Sequence, residues 1–132
     1  MGAWGFGIFE NDTACDFAAA VSDGGGMPLL EQALDRVLAC GDNYLEAPEA
    51  EECLAAAEII ARMTGSSWHE TTSTTSVEIR GAHISVSGDF TDKAKRAIAR
   101  VLSEPSEIVE LWTESDDFDG WKQSVEELLA RL

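Results

Sequence analysis

Apolar positions recur at helical spacing through most of the chain, and the breaks between these runs fall at glycine or proline. Phe17 and Val21 are four apart and share a face with Ala14 and Ala18, which predicts a first helix over Thr13 to Ser22. Asn11 or Asp12 supplies its cap, and Asp23-Gly24-Gly25-Gly26 ends it. Pro28 suits the first turn of a second helix, in which Leu30, Leu34, Val37 and Leu38 repeat until Gly41. A loop with Tyr44 follows. A third helix is expected from about Pro48 to Gly65, with Glu49, Glu51 and Glu52 at its amino end, where the helix dipole favours acid. Leu54, Ala57, Ile60 and Ala61 form its stripe, and alanine at 50, 55, 56, 57 and 61 lets a neighbouring helix approach closely.

The period then changes. Residues 66–76 are rich in Ser and Thr and read as an exposed loop. Val77 and Ile79 alternate with Glu78 and Arg80, and Ile84 and Val86 alternate with Ser85 and Ser87, which predicts a small β-hairpin over residues 75–87. Such a hairpin needs the helices to pack against, because two strands alone are marginal in water. Helical spacing returns with Ala94, Ala97, Ile98, Val101 and Leu102, in a fourth helix capped by Thr91 and ending near Ser103. Pro105 resets the chain. Ile108, Val109, Leu111 and Trp112 predict a short fifth helix, and Trp121, Val125, Leu128, Leu129 and Leu132 a sixth capped by Asp119. Ahead of all this, Gly2, Gly5 and Gly7 interleave with Trp4, Phe6, Ile8 and Phe9, a pattern too interrupted for a helix and suited to an extended aromatic arm. The expected architecture is therefore mainly α. It is one compact bundle of about five to six helices, with the aromatic arm and the small hairpin as additions. No internal repeat or long linker divides the 132 residues, a length that fits one domain.

Composition adds charge to this outline. Apolar residues make up 45% of the chain, an ordinary share for a folded domain, but the net charge is −16. That disfavours nucleic acid, whose phosphates need a basic footprint, and an anionic membrane surface for the same reason. It favours a partner protein with a basic surface. The charge is uneven along the chain. It is −10 over residues 1–65, +1 over 66–103 and −7 over 104–132. In the neutral middle, Lys93, Arg96 and Arg100 share one helical face and are expected to pair with the acidic helices or to form a basic contact stripe. Nothing in the opening residues resembles a secretory signal, and no run reaches the ~20 apolar residues of a membrane span. Gly2 suggests myristoylation, but Phe6 stands where Ser or Thr is required. Cys15, Cys40 and Cys53 have no metal or redox spacing and read as small buried hydrophobes, which fits a reducing cytoplasm.

Candidate chemistry is sparse. The stretch Ser115-Asp116-Asp117-Phe118-Asp119-Gly120, with Glu126, aligns in part with a calcium loop, placing Gly120 at the sixth position and Glu126 at the twelfth. Ser115 stands where an aspartate belongs and Lys122 brings positive charge, so a polar turn before the last helix is the stronger reading. His69 and His83 could each serve as a base, but neither has a partner at a recognisable spacing. No catalytic residue, metal ligand or cofactor emerges.

The opening Met1-Gly2-Ala3-Trp4-Gly5, continued by Gly7-Ile8-Phe9-Glu10-Asn11-Asp12, resembles a bacterial family known only as domain of unknown function 4259. The likeness continues in Leu45-Glu46-Ala47-Pro48-Glu49-Ala50, in Ser106-Glu107 and Glu110-Leu111-Trp112, and in Leu128 to Leu132. The resemblance implies a small, acidic, largely helical cytosolic protein and assigns no reaction. Between Ser66 and Asp89 the family pattern implies more helix than the hairpin signal allows.

These features favour a binding module, an immunity or antitoxin-like inhibitor of a basic partner. Its expected contact residues are Glu110, Glu114, Asp116, Asp117 and Asp119. Trp112 or Trp121 could anchor that contact, although core packing is the stronger reading for both. The alternatives are an enzyme using carboxylates with His69 or His83, and a structural protein that forms homo-oligomers through its Ala-rich helices.

Overall fold

The computed structural model describes residues 7–8, 11–21, 23, 26–63 and 88–132. They form six α-helices: α1 (Asp12–Ala20), α2 (Gly26–Cys40), α3 (Ala47–Met63), α4 (Gly88–Val101), α5 (Glu107–Thr113) and α6 (Phe118–Arg131). Among the described residues there is no β-strand; an isolated parallel bridge joins Leu45 and Ser106. The mainly α bundle is thus the observed architecture. The hairpin expected over residues 75–87 lies outside the described residues, as do His69, His83 and the Ser/Thr-rich loop. Of the expected aromatic arm only Gly7 and Ile8 are described, and Ile8 packs against the core.

The bundle is built around α3, which touches every other helix. Cys53 through Ala61 are all buried. A helix apolar on all sides belongs at the centre of a bundle, and this one carries alanines at 55, 56 and 57, whose small side chains let its neighbours come close. Each surrounding helix contributes the stripe its sequence predicts. Leu30, Leu34 and Val37 of α2, Ala94, Ala97, Ile98 and Val101 of α4, and Trp121, Val125 and Leu128 of α6 are buried. Leu38, Leu102, Leu129 and Leu132 sit half-buried at the edges. Trp112 of α5 stacks on Trp121 of α6, with ring centroids 6.2 Å apart and planes 9° from parallel, so this pair joins the two last helices inside the core.

Among the described residues one charged side chain lies in that core. Glu58 of α3 is 6% exposed, and Arg131 at the end of α6 donates from Nη2 to its Oε1 at 2.6 Å. A buried carboxylate needs such a partner, because desolvation without compensation is costly.

The helix ends refine several sequence expectations. Asn11 is the cap of α1, and its Oδ1 accepts the Ala14 N–H at 2.7 Å, while Asp12 lies in the first turn. Gly41 ends α2 with a φ of 58°, a left-handed conformation that favours glycine although the space around its Cα is open. Helix α4 already includes Gly88, so Thr91 lies inside it and is not its cap. No proline or glycine interrupts residues 89–91, so these residues can be helical ahead of Thr91. Asp119 likewise is not the cap of α6. The cap position falls to Asp117, which makes no side-chain capping bond, and Asp119 sits in the first turn beside the helix dipole.

Candidate functional site

The acidic blocks of the sequence meet where the loop between α2 and α3 crosses the loop between α4 and α5. Leu45 N–H donates to Pro105 O at 3.1 Å, and Glu107 N–H donates to Leu45 O at 2.8 Å. These two bonds make the Leu45–Ser106 bridge, and Leu45 and Ser106 are both fully buried beneath it. The Glu104–Pro105 peptide bond in this crossing is cis.

Arg100, in the last turn of α4, holds both loops. Its Nε donates to Gly41 O at 2.7 Å, Nη1 to Ser103 O at 2.7 Å, and Nη2 to Asn43 O at 2.7 Å and to Pro105 O at 3.1 Å. Nη2 also lies 3.8 Å from Cys40 Sγ, and that thiol donates to Asn43 O at 3.2 Å. The carbonyl ends of α2 and α4 carry partial negative charge, and a guanidinium with five fixed donors can satisfy several of their oxygens at once. Arg100 thus spends its charge on backbone carbonyls, whereas Lys93, one of the residues grouped with it by sequence, pairs with Asp35 of α2 at 2.8 Å. That bond holds the Lys93 ammonium above its ordinary value. Arg36 meets Glu52 at 3.4 Å in a further exposed pair. The expected counter-surface for the acidic helices therefore exists in part, through Lys93, while Arg100 does something different.

The crossing brings carboxylates together. The Glu107 side chain accepts the Ala47 N–H at 2.7 Å, satisfying an amide at the amino end of α3 from sixty residues away. Tyr44, 49% exposed, donates its hydroxyl to Glu110 Oε2 at 2.6 Å. This hydrogen bond, with partial desolvation and the negative charges of Glu110, Glu107 and Glu46, pushes the phenol up to about 12. Glu51, one turn into α3, is half-buried. Desolvation raises its carboxyl above the usual range, a hydrogen bond with Thr13 acts the other way, and Glu107 adds to the rise. Glu46 and Glu51 belong to the first acidic block and Glu107 and Glu110 to the second, so at this crossing the two share a surface.

Of the five acids expected to contact a partner, only Glu110 takes part in this arrangement. Glu114 is the carboxyl-terminal cap of α5, Asp116 and Asp117 lie in the turn that follows, and Asp119 is in α6; all four are exposed. Trp112 and Trp121 are core residues, 9% and 3% exposed, and offer no anchor to a partner. The partial calcium-loop pattern does not form a loop, since Gly120 and Glu126 lie within α6. Among the described residues no group of three or more His, Cys, Asp or Glu side chains is arranged to hold a metal ion. None of the three cysteines forms a disulfide, and only Cys53 is fully buried, while Cys15 and Cys40 are half-exposed, one on each of α1 and α2. A cavity of about 20 Å³ lies between Glu51, Asn11, Ile8 and Trp112, room for one water molecule. Sequence reasoning missed Tyr44, Glu46 and Glu107 as neighbours of Glu110. No spacing signal links residues 44–46 to 107–110, because their proximity depends on a loop crossing.

No helix among the described residues is long and apolar enough to cross a membrane. No curated protein and no solved structure matches the chain. The family model described as "Domain of unknown function (DUF4259)" matches residues 2–124, nearly the whole chain, and the protein belongs to that family.

Proposed function

We propose that this protein binds a partner protein with a basic surface, in a bacterial cytoplasm, and acts as an immunity or antitoxin-like inhibitor that covers that surface. The observation that carries the reading is the Tyr44 face. An exposed aromatic ring stands among Glu46, Glu107 and Glu110, at the place where the two acidic blocks of the chain meet. Tyrosine is enriched among residues that dominate binding energy, since its large amphipathic ring loses little freedom on contact. Its phenol stays protonated at neutral pH, so it can interact with a partner as a neutral group. The carboxylates around it attract cationic side chains over a distance and raise the rate of encounter with a basic partner. The net charge of −16 extends the same field over the rest of the chain, and cysteines that form no disulfide suit a reducing compartment.

The test compares the immobilised wild-type protein with a Glu110→Lys, Glu114→Lys, Asp116→Lys variant and with Tyr44→Ala, each exposed to a bacterial lysate at low salt. A specific basic protein should be retained by the wild type, with steep salt dependence, and weakened at least about tenfold by the reversal, equivalent to ~1.4 kcal/mol. Equal retention of every basic protein by wild type and variants would sink the reading.

A further inference from the structure

Arg100 is the base that the acidic surroundings should most readily claim, yet among the described residues its hydrogen-bond partners are four backbone carbonyls and one thiol. The distribution of those carbonyls is informative. Gly41 and Asn43 belong to the loop that carries Tyr44, and Ser103 and Pro105 to the loop that leads into α5 and Glu110. On one side of Tyr44 the chain is held by the Leu45 bridge bonds. On its other side, Asn43 O accepts from Arg100 Nη2 at 2.7 Å. The Pro105 carbonyl accepts from both the guanidinium and the Leu45 N–H, so the two attachments share an atom.

We propose that Arg100 is the positioning residue of the Tyr44 face: its guanidinium fixes loop 41–46 against loop 103–106 and so sets the Tyr44 hydroxyl against Glu110. The inference rests on the proposed function only in treating that face as a binding surface. The geometry requires the fork of arginine. A lysine would keep the positive charge near the two helix ends, but its one ammonium cannot replace three nitrogens that together hold four carbonyls of the two loops. Arg100 touches no partner itself and acts through the backbone on either side of Tyr44.

Tyr44 is the only tyrosine in the chain, so its ring can be observed without ambiguity. The experiment compares wild type, Arg100→Lys, Arg100→Met and Glu110→Gln, each ¹³C-labelled at tyrosine, with folding followed by far-ultraviolet circular dichroism. The ring carbon bearing the hydroxyl is read by NMR at neutral pH, and ionisation is read by absorbance as pH is raised. With the phenol at about 12, roughly a tenth of wild-type Tyr44 is ionised at pH 11; at the ordinary value of about 10 the fraction is roughly nine tenths. Glu110→Gln sets the signature of the weakened bond. Folded Arg100→Lys should move toward that signature in both readouts, and Arg100→Met should do the same if it folds. A wild-type Tyr44 signal and ionisation in folded Arg100→Lys would overturn the proposal, leaving Arg100 a stabilising residue only. Because these readouts need no partner, they separate the positioning role from the binding role. A failure to find any basic partner defeats the proposed function and leaves the Tyr44 result standing.

Discussion

The middle of α3 and the crossing beside Tyr44 hold the protein together by opposite means. Around Cys53 to Ala61 the attraction is apolar area, shared among five neighbouring helices and insensitive to direction. At the crossing the attraction is directional. It consists of two bridge bonds, a long-range carboxylate on the Ala47 amide, and one guanidinium reaching four carbonyls. The one buried charge of α3, Glu58, is met by Arg131. The crossing is polar nearly throughout and lies at the surface. Apolar burial can hold helices together without specifying which surface groups become neighbours. Hydrogen bonds with fixed partners do specify that, and here they bring acids of the two separate acidic blocks to one exposed ring.

The contrast can be broken most severely from the core side. Ile60 is fully buried, and Ile60→Ala is expected to lower the unfolding free energy by about 4 kcal/mol, measured by denaturant titration, because the lost contacts leave a cavity that packed helices cannot close. A loss below about 1 kcal/mol would mean that α3 is not the centre of the bundle. At the crossing a comparable truncation should cost much less. Glu107→Ala removes the acceptor for Ala47 N–H and is expected to cost about 1 kcal/mol in the same titration, within the range of a lost helix cap. A cost equal to that of Ile60→Ala would make the crossing part of the core in energetic terms.

The smallest effect is confined to alkaline solution. A phenol raised from its ordinary 10 to about 12 contributes stability that is fully present below pH 10 and lost as pH rises through 12. Tyr44→Phe lacks that contribution. The two proteins should therefore differ most in thermal midpoint below pH 10, and the gap should close between pH 10 and 12. A gap that stays constant over this interval would place the Tyr44–Glu110 bond outside the folding equilibrium.

How much was legible in advance depends on the range of the interactions. The stripes of α2, α4 and α6 follow from spacing alone, since each helix must bury its apolar face and their sequences leave one choice. Helix starts were less certain. Thr91 and Asp119 are good capping residues by type, yet α4 and α6 begin ahead of both. A cap stabilises a boundary by about 1 kcal/mol, which packing of the next turn can outweigh. Among the acids, sequence spacing pointed to the run after α5, from Glu114 to Asp119. The structure draws only Glu110 into a group with Tyr44, Glu46 and Glu107. Local charge density cannot reveal such a group, because its members are some sixty residues apart.

The sequence by itself determined a helical class, the apolar face of each helix, the acid excess and its division into two blocks. Those properties arise from residue type and short-range spacing, which the unfolded chain already contains. Tertiary structure alone decided that α3 is surrounded, that Trp112 stacks on Trp121, that Arg100 binds carbonyls in place of carboxylates, and that the two acidic blocks meet at Tyr44. Each of these depends on which loops cross. That choice is made when the helices pack and the backbone groups left at their ends must find partners.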